Sequence, residues 1–251
     1  MTQNRSAAIM QQRREPPDSL DYFPTPPWAA RALCHELGEM VPIGQQSVWE
    51  PACGEGDLLR GLSAFGSQRA SDIHHYGPRF PAQAATRDFL AEGLLAGPAN
   101  PVDWVITNPP FNLALDFVWR ALEVSQVGAA FFLRNSFAEG QTRYDKLFRD
   151  RPPSFEFVFA ERVVLWKNHC LDPDVPVWRE TTKADGTVVT SYEKPTTATT
   201  YSWFVWIHDE AGDCRKRWIP PSRKDLERRG DYPELPDRMK PPAGALIGGA
   251  A

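Results

Sequence analysis

Apolar positions along the chain recur first at helical spacing and then at strand spacing, unit after unit. In WAARALCHELGEM, Ala30, Leu33, Leu37 and Met40 mark one face of a helix that follows the turn-forming stretch DYFPTPPW. Ser47 to Trp49 form a short apolar stretch ending in Glu50. A glycine-bearing loop comes next, and Asp57 opens a helix carrying Leu58, Leu59 and Leu62. Residues 68–72 predict a weaker strand, and 101–107 predict another that stops at Asn108. LALDFVWRALEVS reads as an amphipathic helix, and VGAAFFLRN is an almost continuous apolar run, the pattern of a strand buried on both faces. A further helix is expected at 139–149, then extended stretches at 155–165, 186–192 and 200–207. Strand and helix alternating first, then mostly strands, predicts a doubly wound, mainly parallel α/β sheet with a late antiparallel hairpin at its edge.

Composition supports a full core. The 251 residues are 42% hydrophobic and 24% charged, near globular averages. The 24 prolines are about twice the usual share and point to much ordered loop. No stretch reaches the roughly 18 apolar residues of a membrane helix, and the first residues lack a secretory apolar core, so a cytoplasmic protein with no membrane partner is expected. Cys34, Cys53, Cys170 and Cys214 are too scattered for a disulfide framework or a paired zinc site. The net charge of −4 argues against diffuse attachment to nucleic acid. Locally, 215–229 sets seven Lys or Arg against Asp225 and Glu227, and a polyanion is expected to meet that segment. The expected organisation is a mobile segment 1–20, a folded domain 21–210, and a basic, proline-rich tail 211–251 whose order is expected to fade from about 215.

Candidate chemistry clusters at predicted strand ends. EPACGEG places Glu50 at a strand tip and Gly54 and Gly56 in the turn before a helix, where open α/β sheets bind small molecules. Leu59 stands where a dinucleotide loop needs its third glycine, and no Gly-Lys-Ser/Thr follows, so the ligand is not gripped by phosphate. Glu50 suits a cationic amino group or ribose hydroxyls instead. Asp72, some twenty residues past the glycines, sits where a carboxylate can accept two ribose hydroxyls. Asp88 could accept from an adenine amino group, with Phe89 flanking the ring.

Asn108-Pro109-Pro110-Phe111 also follows a strand and precedes a helix. Consecutive prolines lack N–H groups, so the turn becomes an acceptor surface. With the Asn108 side-chain oxygen, it can draw on both N–H bonds of a planar exocyclic amine, making that nitrogen nucleophilic in the transition state. Phe111 can stack on an extruded base.

In this order, EPACGEG, the acids Asp72 and Asp88, and DWVITNPPF resemble the class I S-adenosylmethionine-dependent amino-methyltransferases. The nearest likeness is to small phage-type and bacterial DNA adenine-N6 methyltransferases. DYFPTPPW resembles their cofactor-closing motif, and AFFLRNSF and YSWFVW resemble later strand motifs, so the likeness spans residues 21–207. The resemblance implies a class I methyltransferase fold with a seven-stranded sheet, S-adenosylmethionine as cofactor, no metal, and DNA as substrate partner, with RNA as the alternative. It also implies roles. Glu50, Pro51, Ala52, Cys53, Gly54 and Gly56 would cradle the methionine part, Asp72 the ribose, and Asp88 with Phe89 the adenine. Thr25 and Pro26 would close over the methionine carboxylate. Asn108, which also borders the cofactor, would bind the target amine with Pro109 and Pro110, and Phe111 would stack on the base. No large target-recognition domain fits in the chain, so recognition would be slight or come from 161–200 and the basic tail.

Other features carry less. Adjacent His74 and His75 point to opposite faces of an extended segment and lack a spaced carboxylate, so no metal site is expected. His169-Cys170 lacks an orienting partner, and Trp203, Phe204 and Trp206 read as buried strand packing. Rival readings of the same motif are RNA adenine or guanine methylation, cytosine-N4 methylation, whose enzymes more often carry serine at the place of Asn108, and protein glutamine methylation, whose enzymes favour tyrosine at the place of Phe111. A non-catalytic nucleic-acid-binding module is the rival from another class.

Overall fold

The computed structural model describes residues 22–91, 101–182, 185–210 and 212–242; the expected mobile segment 1–20 lies outside them. Among the described residues, ten strands and several short helices follow in order. Helix α1 (Pro27–Gly38) precedes β1 (Ser47–Glu50), α2 (Asp57–Gly61), β2 (Ser67–Asp72), β3 (Ala85–Thr86) and β4 (Val102–Thr107). Then come α3 (Ala114–Val124), β5 (Ser125–Arg134), α4 (Gln141–Arg143) running into a π-helical turn at Tyr144–Phe148, and β6 (Phe155–Phe159). Strands β7 (Val177–Thr182), β8 (Val188–Glu193), β9 (Tyr201–Ile207) and β10 (Arg215–Ile219) complete the set. Eight strands form one sheet in the order β10-β6-β9-β5-β4-β1-β2-β3. All neighbours in it run parallel except β9, which is antiparallel to both β5 and β6.

Burial on two faces explains the apolar runs. Along β4, β5 and β9, successive residues alternate between two cores. Trp104, Ile106, Ala130, Phe132, Trp203 and Val205 pack with α1 and α2 on one face. Val105, Ala129, Phe131, Phe204 and Trp206 pack with Phe117, Val118, Ala121 and Leu122 of α3 on the other. The sheet is therefore doubly wound, as the alternation of elements predicts. Trp203, Phe204 and Trp206 are indeed strand packing, each no more than 4% exposed.

Three details differ from expectation. The sheet has eight strands, not seven, and the added edge strand β10 lies where order was expected to fade. It pairs in parallel with β6, and its charges are met by nearby side chains: Arg215 pairs with Glu210, Lys216 with Glu156, and Arg217 lies over the Phe155 ring. Arg223 and Lys224 likewise pair with Asp174 and Glu227, so much of this basic segment's charge is answered within the chain. Second, the extended run from 155 stops at Phe159, not 165. Third, the late hairpin, β7 with β8, stands as its own two-stranded sheet instead of joining the edge of the large one.

The segment after β10 is also tied down. Asp231, 3% exposed, receives both guanidinium nitrogens of Arg31 on α1 at 2.6 and 2.7 Å, and Arg31 also donates to the Leu226 carbonyl at 2.7 Å. Removing one partner of such a buried pair strands the other charge. Asp231→Ala is therefore expected to cost about 3–5 kcal/mol of stability, read as a lower denaturant midpoint with an unchanged slope.

Parallel direction also fixes where chemistry can gather. The carboxyl ends of β1, β2, β4 and β5 place Glu50, Asp72, Asn108 and Arg134 along one edge of the sheet. Because β9 runs the other way, its first residue, Tyr201, pairs with Arg134 at that same edge.

Candidate active site

A cleft of about 820 Å³, part of it open to solvent, lies along this edge. Its walls include Glu50 to Cys53 from the first loop, Asp72 and Ile73 after β2, and Arg87 to Leu90 after β3. Tyr22 to Thr25, Asp57, Tyr76, Asn108 and Pro110 complete much of the rest. Of the residues singled out from the sequence, Thr25, Glu50, Pro51, Ala52, Cys53, Asp72, Asp88, Phe89, Asn108 and Pro110 border this one cleft. Pro26, Gly54, Gly56, Pro109 and Phe111 do not line it.

The first loop is held by its own hydrogen bonds. Gly54 and Gly56 both have positive φ, 53° and 78°, which a glycine adopts without strain. A Cβ on Gly54 would lie 2.3 Å from the Tyr22 ring, and one on Gly56 2.3 Å from the Phe80 ring. These glycines thus make room for the protein's own aromatic rings. Tyr22 Oη accepts from the Glu55 N–H and donates to Asp57, both at 3.1 Å, so the N-terminal turn is fastened to the loop. Asp72 accepts from the Gly54 N–H at 3.0 Å through one oxygen and from the His74 N–H at 2.9 Å through the other. Each oxygen keeps a second lone pair for a ligand hydroxyl.

Electrostatically the cleft favours a cation. Burial raises the carboxyl of Glu50 well above its ordinary value, with the nearby Asp72 and Asp57 pushing the same way. Burial also raises Asp57, against the pull of Arg60, and raises Asp72, against the His74 and Gly54 N–H groups. Glu50 is 1% exposed, and its Oε2 has no hydrogen-bond partner. A buried polar atom left without a partner calls for a ligand. A positively charged amino group placed there would both satisfy the oxygen and oppose the upward shift, favouring the charged carboxylate.

Asn108 is the second such residue. Its amide nitrogen donates to the Phe23 carbonyl at 2.7 Å and to Thr25 Oγ1 at 3.0 Å, which fixes the amide's orientation. Its Oδ1 is buried and without a partner. The side chain is a locked acceptor at the cleft wall. Thr25, 2% exposed, serves in this structure as an anchor for Asn108.

Two aromatic residues behave differently from the sequence expectation. Phe89 borders the cleft, but its ring is 3% exposed and packs against Trp49 and Phe117 in the core. Phe111 packs beside Phe23 and Tyr201, with centroids at 5.7 and 6.3 Å, and the Arg134 guanidinium lies over its ring at 4.3 Å. Asp88 stands at the rim and accepts from the Leu90 N–H at 2.9 Å. Tyr22, Asp57 and Tyr76 escaped notice in the sequence. Tyr22 lies within DYFPTPPW and was reachable from its neighbours, whereas nothing local marks Tyr76. No group of His, Cys, Asp and Glu among the described residues could hold a metal ion.

Fold and site together define a Rossmann-like α/β protein with an anionic cleft at the carboxyl edge of its sheet. No protein-family model and no curated protein matches the chain. Several solved structures resemble it. One is a modification subunit of a putative type I restriction enzyme from Vibrio vulnificus YJ016, at 15% identity and TM-score 0.48, over 77% of this chain and 45% of that one. The chain thus spans less than half of that subunit. Another is a putative RNA methyltransferase from Pyrococcus horikoshii, at 15% identity and TM-score 0.41, over 79% of this chain and 93% of that one. A third is magnesium protoporphyrin IX methyltransferase from Synechocystis PCC 6803 with bound SAM, at 12% identity and TM-score 0.42, over 72% and 78%.

Proposed function

We propose that the protein is an S-adenosylmethionine-dependent methyltransferase that modifies the exocyclic N6 amine of adenine in DNA. One observation carries the reading. A single cleft joins a buried carboxylate oxygen without a partner, on Glu50, to a locked amide oxygen without a partner, on Asn108. The first suits a cationic amino group and the second an amine with hydrogens to share.

The residues fit the cofactor. Glu50 would hold its ammonium group, Asp72 its ribose hydroxyls, and Asp88 at the rim its adenine amino group. The cofactor supplies a methyl group already activated on a sulfonium, so the protein needs no strong base and works by positioning. A cation beside the three buried acids Glu50, Asp57 and Asp72 would offset part of the cost of holding charge there.

At the other end, Asn108 Oδ1 accepts one N–H of the target amine. An acceptor strengthens as positive charge grows on that nitrogen, so its hydrogen bond favours the transition state over the ground state. The two N–H bonds of Asn108 hold the oxygen in place, which removes the cost of orienting it during reaction. Phe111, next to Pro110, offers the surface on which an extruded base would stack.

The purified protein is expected to transfer label from methyl-labelled S-adenosylmethionine to unmethylated DNA. Label found on RNA or on protein, and never on DNA, would refute the substrate assignment and favour the rival readings of the same motif.

A further inference from the structure

One face of the Phe111 ring is covered. Arg134, the last residue of β5, lays its guanidinium 4.3 Å from the ring centroid. Stacked planar groups sit about 3.5 Å apart, so a base between the two would require about 7 Å. The present gap is too small. Arg134 must move before a base can stack on that face of Phe111.

Arg134 also differs from its neighbours in how its charge is met. Arg143 donates to the carbonyls of Phe137 and Ser136, and Arg162 to those of Thr197 and Ala198. The Arg134 side chain makes no ion pair and no hydrogen bond among the described residues; it lies over the Phe111 ring. Its side chain is exposed, and its strand end is adjacent to that of β4, which leads into Asn108. A solvent-facing guanidinium with all its donors unclaimed, beside a site for a flipped nucleotide, is suited to a phosphate.

Resting on the reading of this cleft as a DNA methylation site, we propose that Arg134 is a substrate-binding residue that works in two positions. Without substrate it covers Phe111. When the base enters, it takes Arg134's place on the ring, and the freed guanidinium binds a backbone phosphate next to the target nucleotide. The two contacts oppose each other in magnitude. An exposed cation–π contact holds the closed position by about two- to fivefold in population, while a charge-assisted phosphate contact favours the open, bound position by about tenfold or more. The second outweighs the first, so the residue aids binding on balance.

The test measures the KM for unmethylated plasmid DNA across about 50–200 mM salt in the wild-type protein, Arg134→Ala and Arg134→Lys. Affinity for S-adenosylmethionine is followed in each as a check on folding. Arg134→Ala is expected to raise the KM about tenfold at the lowest salt and to make the log KM against log salt slope shallower by about 0.9, the share of one phosphate. Arg134→Lys, which keeps the charge and loses the planar stack, is expected to keep the wild-type slope. Loss of packing alone would raise the KM without changing the slope. If Arg134→Ala retains the wild-type slope, or binds DNA more tightly, the two-position proposal fails while the methylation reading stands. If the wild-type protein transfers nothing to DNA, the methylation reading fails, and this proposal with it.

Discussion

Asn108→Ala is expected to lower methyl transfer to DNA about a hundred- to a thousandfold, the usual effect of removing one preorganised hydrogen-bond partner of the transition state. Affinity for S-adenosylmethionine should stay close to that of the wild type. The reasoning lies in the division of labour within this side chain. Its nitrogen, tied to the Phe23 carbonyl and Thr25 Oγ1, orients the amide. Its oxygen, buried and without a partner, is the atom proposed to meet the substrate. Alanine removes both, but Glu50 and Asp72, which would hold the cofactor, sit on β1 and β2, and the hydrogen bonds to Asp72 do not involve Asn108. Equilibrium binding of the cofactor and single-turnover transfer therefore separate the two ends of the cleft. A variant that keeps a tenth or more of the wild-type rate would show that Asn108 is a structural turn residue.

Glu50→Gln is expected to act in two opposite directions. In the ligand-free protein, burial and the neighbouring acids raise the Glu50 pKa well above its unfolded value. A carboxyl whose pKa is raised on folding contributes stability at low pH, below its unfolded pKa, and loses it as pH rises through the folded value. At neutral pH the charged form is thus a cost to the empty protein, and glutamine removes it. The ligand-free variant should melt higher than the wild type at pH 7, by about 2–4 °C for each kcal/mol of that cost removed. The advantage should shrink as pH falls and vanish below the unfolded pKa of a glutamate, about 4.3, where the wild-type carboxyl is neutral in both states. Cofactor affinity should move the other way, weakening about tenfold or more, because a neutral amide no longer answers a buried ammonium. Paired melting curves with and without S-adenosylmethionine check both effects. A variant that is less stable when empty, or that binds the cofactor as tightly as the wild type, would remove Glu50 from its assigned role.

Much of this architecture was legible because the sheet is buried on both faces. A strand such as GAAFFLR can be read without knowing its neighbours, since nearly every side chain faces apolar packing. Helix α3 was legible for the opposite reason, a clear apolar stripe on a polar background. Strand β10 was not. Arg215 to Trp218 are exposed and only Ile219 is buried, so the segment carries no apolar period. It is a strand because β6 lies beside it and because Glu156 and Phe155 meet its basic side chains, contacts that no local pattern encodes. Strand β3, two residues long, left no pattern either.

The site divides the same way. Acids and glycines at strand ends could be found by position, as could the NPPF turn, because parallel strands bring their carboxyl ends to one edge. Which atoms are left without partners could not. That Asn108 presents its oxygen rather than its nitrogen depends on Phe23 and Thr25, more than eighty residues earlier in the chain. That Gly54 and Gly56 accommodate Tyr22 and Phe80, and that Arg134 covers Phe111, are likewise matters of long-range packing.

The identity of the modified base tests the account most directly. Unmethylated DNA treated with the protein and S-adenosylmethionine is digested to nucleosides, and the products are separated and weighed. The account requires N6-methyladenine, absent when Asn108→Ala replaces the wild-type protein. Methyl groups found only on cytosine, or DNA left wholly unmodified beside labelled RNA or protein, would contradict it.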